Sequence, residues 1–295
     1  MDNLTQKPAI SQNGNFLKDL PLAFIGCGVM AESIVAGALR AGLVQPDQIF
    51  ASHPRAARRH DLTEKYGITV LADNAKAVRA VKNVAEDRDS MIVLCVKPQR
   101  LNPVLNEIQS VVGGSQLVVS IVAGARIATL AETLNHPAIV RTMPNTPSQV
   151  GAGMTAWTAT AEVGERGREQ VRQLFGALGR EMYVETENQI DMATALSATG
   201  PTYIFMVMEA LTDAGVHLGF SRHVAQELVQ QTMLGAVQFA IESNKHPAEL
   251  RNMVTSPGGT SAEAIYQMEK GSLRTVLSKA VYAAYQRAVE LGDKK

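Results

Sequence analysis

The sequence predicts an α/β protein in which a mostly parallel sheet, covered by helices, precedes an all-helical C-terminal domain. Three observations carry this. Short apolar segments rich in β-branched residues recur between residues 21 and 141, separated by helix-length stretches, as in successive βαβ units. A glycine-rich turn ends the first of them at Gly26. Beyond residue 186 the strand texture stops, and Met, Leu, Ala and Val recur at spacings of three and four, the period of helices.

The elements follow in order. Residues 1–19 are poor in large apolar side chains and contain Asn13-Gly14-Asn15, which predicts a flexible leader. Strands are expected at Pro21–Ile25, Gln48–Ala51, Ile68–Leu71, Met91–Val96, Leu117–Ile121 and Ala138–Arg141. Their continuous apolarity fits strands covered on both faces. The polar stretch Glu185-Thr186-Glu187-Asn188 divides the two textures. The expected domains are therefore 20–186 and 187–295, the second broken by Gly215, Gly219, Pro247 and the Ser256-Pro257-Gly258-Gly259 turn.

Composition narrows the function classes. At 295 residues and 46% hydrophobic, the chain can bury a sizeable core. Lys plus Arg and Asp plus Glu both number 28, without the basic surplus that phosphate-backbone binding needs, so no nucleic-acid partner is expected. No apolar run approaches the roughly 18 residues of a membrane span, and the start carries no apolar signal core. Two cysteines, Cys27 and Cys95, suit a reducing compartment, so a cytoplasmic protein is expected. The six histidines show no metal-ligand spacing. Met192, Met206 and Met208 read as core residues of helices.

Gly26-Cys27-Gly28-Val29-Met30-Ala31 is a G-x-G-x-x-A turn placed directly after a strand and before a helix. The first glycine permits the turn, the second lets a pyrophosphate reach the backbone, and the small last residue brings helix and sheet together. This is the fingerprint of a Rossmann-type dinucleotide-binding domain, with the phosphates at the helix N-terminus. The end of the second strand reads Ala51-Ser52-His53-Pro54-Arg55, with Arg58 and Arg59 following, and lacks the acid that would bond a ribose 2′-hydroxyl. A hydroxyl and a guanidinium there favour the 2′-phosphate of NADP, against the reading of a basic helix start with Ser52 as its cap.

Further candidates keep more than one reading. Lys97, in Val96-Lys97-Pro98-Gln99 after the fourth strand, is a catalytic base, a positioning group or a surface lysine. Met143-Pro144-Asn145-Thr146-Pro147 is a stiff wall of a site or a structural turn. Gly258-Gly259-Thr260-Ser261 opens a helix whose N–H groups could cradle a small carboxylate, or whose hydroxyls simply cap it.

With these motifs in order, the chain resembles pyrroline-5-carboxylate reductase from about Leu22 to Leu291. The most specific pieces are Val96-Lys97-Pro98-Gln99, Met143-Pro144-Asn145-Thr146-Pro147, Asp213-Ala214-Gly215-Val216 and Val254-Thr255-Ser256-Pro257-Gly258-Gly259-Thr260. Ser197-Ala198-Thr199-Gly200-Pro201-Thr202-Tyr203 departs from the family's usual Ser-Gly-Ser-Gly-Pro-Ala-Tyr, and Ser261 stands where threonine is common. The resemblance implies reduction of 1-pyrroline-5-carboxylate, a cyclic imine carboxylate, to L-proline with NADPH, NADH being possible. It implies that Gly26, Gly28, Val29 and Met30 hold the pyrophosphate and that Ser52 and Arg55 hold the 2′-phosphate. Asn74 would reach the adenosine side, and Val96, Lys97, Pro98, Ala123 and Gly124 would lie around the nicotinamide. Gly258, Gly259 and Thr260 would take the substrate carboxylate, and Ser261 the ring nitrogen. The catalytic residues would be Thr260 and Ser261. The helical domain would form a homodimer, with decamers common in the family.

Three rivals are weighed beside it. A reductase of a different imine, with another ring size or substituent, is the more serious, because the altered Ala198-Thr199 segment is expected close to the substrate. A β-hydroxyacid dehydrogenase shares the layout but needs a lysine on the long helix after the linker, and no lysine occurs between Lys97 and Lys245. An NADP-binding regulatory protein without chemistry would not need Thr260 and Ser261.

Overall fold

The computed structural model describes residues 14–85 and 88–293. Its single sheet has eight strands in the order β3-β2-β1-β4-β5-β6-β7-β8. These are β1 (Leu22–Ile25), β2 (Ile49–Ser52), β3 (Thr69–Leu71), β4 (Ser90–Leu94), β5 (Gln116–Ser120), β6 (Ile139–Met143), β7 (Gly153–Ala159) and β8 (Gly179–Tyr183). The pairs from β3 through to β6 are parallel, β7 runs antiparallel to β6, and β8 is parallel to β7. Helices α1 (Val29–Arg40), α2 (Ala56–Tyr66), α3 (Asn74–Ala85), α4 (Leu101–Ile108), α5 (Ile127–Leu134) and α6 (Glu165–Gly176) follow strands. The remainder is helical: α7 (Glu187–Ala193), α8 (Gly200–His217), α9 (Arg222–Ser243), α10 (Pro247–Met253), α11 (Thr260–Lys270) and α12 (Leu273–Asp293).

Side-chain alternation along the central strands fills two cores. Leu22 and Phe24 of β1 point to the face covered by Ile34 and Val35 of α1 and by Leu174 and Phe175 of α6. Ala23 and Ile25 point to the other, against Val78 and Val81 of α3 and Leu105 and Ile108 of α4. β1 pairs with both β2 and β4, so the strand order reverses beside it. In open α/β sheets that reversal leaves a crevice at the carboxyl ends of the strands, where ligands bind.

Two strands escaped the sequence reading. β7 (Gly-Met-Thr-Ala-Trp-Thr-Ala) has few large aliphatic residues, and the edge strand β8 (Gly-Arg-Glu-Met-Tyr) carries two charges. Tertiary pairing makes them strands: Trp157 is fully buried, and its ring meets Tyr183 edge-on at 4.9 Å. The flexible-leader reading is corrected at its end, since residues 1–13 lie outside the described residues and 14–19 are tied down. Leu17 is fully buried, Asn15 donates to the Leu43 carbonyl at 2.8 Å, and Gln48 donates to the Leu17 and Leu20 carbonyls.

Contacts divide the chain into one unit of residues 1–199 with 284–295 and another of 200–283. The sequence boundary at 186/187 falls at the capped start of α7, where the Thr186 hydroxyl and Gln189 form a capping box. α7 itself packs on β6 and β7. A buried ionic cluster holds it there. Arg141 on β6 donates to Asp191 at 2.6 Å and to Glu187 at 2.8 Å, and Arg126 donates to the other Asp191 oxygen at 2.8 Å. Glu187 also accepts from the Ile127 N–H at the start of α5, and Arg126 reaches Asp293 of α12 at 3.4 Å.

In the second unit, only Thr212 and Ala225 are buried. α8 and α9 pack closely at Gly215, where an added Cβ would lie 2.9 Å from that of Ala225. Ile204, Phe205, Met206, Val237, Phe239 and Ile241 are exposed in the single chain, and so is Met192 of the first unit. The reading of Met192 and Met206 as core residues is thereby corrected. An apolar surface of this size marks an interaction face.

Removing one member of a buried ion pair leaves a charge uncompensated. Asp191→Ala is expected to lower unfolding free energy by about 3–5 kcal/mol, read from urea denaturation, with Asp191→Asn losing less.

Candidate cofactor cleft and anion-binding helix start

The glycine turn is shaped by its neighbours. Gly26 has φ +87°, and an added Cβ would lie 2.6 Å from Val96 Cγ1, so side chains are excluded twice over. Gly28 caps α1 without any side-chain hydrogen bond, and a Cβ there would meet open space. Among the described residues, the N–H groups of Val29, Met30 and Ala31 have no acceptor. These free donors and the positive end of the α1 dipole make a cradle for an anion such as pyrophosphate.

Ser52 is corrected from phosphate ligand to scaffold, and it does not cap α2, whose N-cap is Arg55. It is fully buried, accepts from the Gly26 N–H at 3.0 Å and donates to Asn74 Oδ1 at 2.7 Å. Its carbonyl accepts from the Cys27 N–H at 2.8 Å. Ser52 thus holds the glycine turn on the end of β2. Of the three nearby arginines, Arg58 is paired with Glu32 of α1 at 2.5 Å, and Arg59 donates to the His53 and Pro54 carbonyls. The exposed Arg55 guanidinium has no partner among the described residues, which leaves it available to a phosphate.

A cleft of about 640 Å³ opens at the carboxyl ends of β1, β2 and β4. Gly26, Gly28, Asn74, Val96 and Lys97 line it, together with His53, Cys95 and Glu107, which sequence reasoning did not assign to it. Burial pushes the Cys95 thiol well above its ordinary range, and that of Cys27 up to about 12, so both stay protonated and packed. Lys97 is exposed at the rim, and Pro98 starts the short 3₁₀ turn that follows. Ala123 and Gly124 do not line this cleft. Gly124 has φ +74° and faces Leu291 of α12, whose backbone an added Cβ would approach to 2.8 Å. Asn145 is structural in this chain, accepting from the Met154 N–H at 2.9 Å and donating to Ser197.

The helical unit carries a second uncapped helix start. Gly258 has φ +69°, and Gly259 is the N-cap of α11, with no side-chain cap. The Gly259 N–H is already bonded to the Ser256 carbonyl at 3.0 Å, which corrects its assignment as a carboxylate donor. Among the described residues, the N–H groups of Gly258, Thr260 and Ser261 have no acceptor, and neither hydroxyl is used as a cap. Capping alone therefore does not account for Thr260 and Ser261. The Thr199 hydroxyl is turned into the preceding helix, bonded to the Thr194 carbonyl at 2.9 Å.

Comparison with known proteins agrees with this geometry. A family model described as pyrroline-5-carboxylate reductase dimerisation matches residues 187–291, and one described as NADP oxidoreductase, coenzyme F420-dependent, matches residues 21–124. The pyrroline-5-carboxylate reductase of Pseudomonas aeruginosa is 42% identical over 92% of this chain and 97% of its own. The chain belongs to the pyrroline-5-carboxylate reductase family. Among solved structures, that of the Coxiella burnetii reductase has a TM-score of 0.83 at 35% identity, covering 94% of this chain and 100% of its own. The Plasmodium falciparum pyrroline carboxylate reductase, solved with NADP bound, also has a TM-score of 0.83, at 30% identity over 92% of this chain and 98% of its own.

Glu32, in the first turn of α1, was not legible as a site residue, because a lone acid in a helix reads as solvated surface. It receives Arg58, Lys65 at 2.9 Å and the Tyr66 hydroxyl at 2.8 Å, and so clamps α2 to α1 beside the glycine turn. Burial opposes its ionisation, but the hydrogen bonds from Arg58, Lys65 and Tyr66 outweigh it and hold the carboxyl at about 2. A carboxyl with a lowered folded-state pKa stabilises above its unfolded value, near 4.5, and that stabilisation fades as pH falls towards 2. Glu32→Gln is expected to cost about 2 kcal/mol at pH 7. In urea titrations at stepped pH, its difference from the parent should shrink below pH 4.5.

Proposed function

We propose that this protein reduces 1-pyrroline-5-carboxylate to L-proline with hydride from NADPH, with NADH as an alternative donor, in the last step of proline biosynthesis. The observation that carries the reading is the uncapped start of α11, where three free N–H groups stand beside two unused hydroxyls. The residues fit the cofactor as well: the Gly26–Ala31 cradle takes the pyrophosphate and Arg55 the 2′-phosphate, while Asn74, Val96 and Lys97 line the cleft beyond. When bound, the reduced nicotinamide supplies the hydride.

The chain's own residues supply position and electrostatics. The substrate carboxylate is held by the N–H groups of Gly258, Thr260 and Ser261, where the helix dipole favours negative charge. A protonated cyclic imine is already an electrophile, so no strong acid is required. Ser261 orients the ring nitrogen and Thr260 the carboxylate, and with the ring fixed most of the rate comes from alignment. Pro98 flanks the nicotinamide end, next to the cleft residue Lys97.

The helical unit works as a homodimer, with decamers as a further assembly, in the cytoplasm. An 84-residue unit (200–283) that buries two side chains in the single chain supports association of the unit with a second copy, because so small a core does not hold helices together. Phe205→Glu is expected to reduce the mass seen by light scattering to that of smaller species and to lower thermal stability.

The deciding assay follows reduced-nicotinamide absorbance as the protein meets 1-pyrroline-5-carboxylate, with six-membered and substituted imines for comparison. Oxidation faster with NADPH than with NADH is the expected result. Ser261→Ala should lower kcat by about 10²-fold with NADPH affinity kept. Equal loss of turnover and cofactor binding would refute the role of Ser261.

A further inference from the structure

A chain of hydrogen bonds crosses the floor of the cleft and ends on a carboxylate without an assigned role. The Gly26 N–H can only donate, so Ser52 Oγ accepts from it at 3.0 Å and its own proton goes to Asn74 Oδ1 at 2.7 Å. That leaves the Asn74 amide nitrogen to donate to Glu107 Oε2 at 2.5 Å. Every bond in the series therefore has one direction, set at the glycine turn. Ser52 is fully buried, which shields its two bonds from competition by water, whereas the Asn74–Glu107 bond is exposed on the cleft wall. Glu107, in the last turn of α4, lines the same cleft as Gly26, Gly28 and Asn74, and its second carboxylate oxygen has no partner among the described residues.

We propose that Glu107 is a cofactor-binding residue whose free carboxylate oxygen accepts a hydrogen bond from a neutral donor, amine or hydroxyl, on the adenosine half of the dinucleotide. This rests on the reading that the cleft holds that dinucleotide. An ionised carboxylate has acceptor capacity only, so it takes ribose hydroxyls or the adenine amine and repels every phosphate. The phosphates are thereby left to the α1 N-terminus and to Arg55, the two anion-attracting features beside the turn. The bond series makes this orientation durable: Asn74 holds one oxygen of Glu107, and the buried Ser52 holds Asn74. One carboxylate thus ties the glycine turn, the start of α3 and α4 to the same end of the ligand.

Glu107→Gln is the informative variant, because its amide oxygen still serves Asn74 while the atom offered to the ligand changes from acceptor to donor. By calorimetry, the dissociation constants of NADPH, NADH and the fragment adenosine 2′,5′-bisphosphate should each rise about tenfold, a charge-assisted hydrogen bond lost. The thermal midpoint reports folding in the same samples. Repeating the titration with the hypoxanthine analogue of the dinucleotide separates the donors. A difference between parent and variant that vanishes with the analogue identifies the adenine amine, and one that persists identifies a ribose hydroxyl.

Unchanged affinity for all three ligands would overturn the proposal. So would tighter NADPH binding with NADH unaffected, which would make Glu107 only a repulsive charge near the 2′-phosphate. Gly26→Ala, run in parallel, reports on the cleft itself. Lost nucleotide affinity there beside parent-like Glu107→Gln refutes Glu107 alone, whereas intact affinity in both refutes the cleft as the cofactor site.

Discussion

The buried Arg141–Asp191 pair is the constraint on which the rest of the first unit depends. Two nearly inaccessible opposite charges are 2.6 Å apart, and the geometry is completed by Glu187 and Arg126. Desolvating such groups is costly, and the arrangement persists only because each charge finds a partner. Its consequence is positional. Arg141 is on β6, Arg126 precedes α5, Asp191 and Glu187 are on α7, and Asp293 is on α12. One cluster therefore holds α7 to the sheet and reaches the last turn of α12, where Leu291 lies against Gly124.

The two anion-attracting helix starts share a design. α1 begins at Gly28 and α11 at Gly259, and each N-cap lacks the side chain that would otherwise satisfy the first N–H groups. Each is preceded by a glycine with positive φ, Gly26 at +87° and Gly258 at +69°, which turns the backbone so that donors face outward. A helix start left open in this way keeps its dipole and its N–H groups for a ligand. Beside them stand Arg55, with no partner among the described residues, and Thr260 and Ser261, whose hydroxyls do not cap the helix.

The electrostatics of the cleft rim follow a division of labour that composition conceals. Arg58 and Arg59 are adjacent to Arg55 in sequence, yet both are engaged, one by Glu32 and one by two carbonyls. They shape the loop that displays Arg55. Ser52 is similar, since a hydroxyl at a strand end looked like a ligand and is instead a buried strut. Which polar group faces the ligand is a question of neighbours, and the neighbours come from distant positions.

The sequence alone determined the alternation of strands and helices, the glycine turn and its place after β1, and the family, because these rest on local periodicity and contiguous motifs. It also brought out Thr260 and Ser261, two hydroxyls in a run of small residues at a helix start. Tertiary structure decided the rest. β7 and β8 pair into the sheet, where Trp157 and Tyr183 pack across them, although neither contains the run of large aliphatic residues that marks the other strands. Glu32 and Glu107 acquire roles only when residues 26 to 34 positions away become hydrogen-bond partners. Ser52 and Gly259 lost their expected roles for the same reason: a hydrogen bond to a neighbour in space or a turn had already claimed the group. A motif says which atoms can donate and accept, and only the folded chain settles which of them remain free.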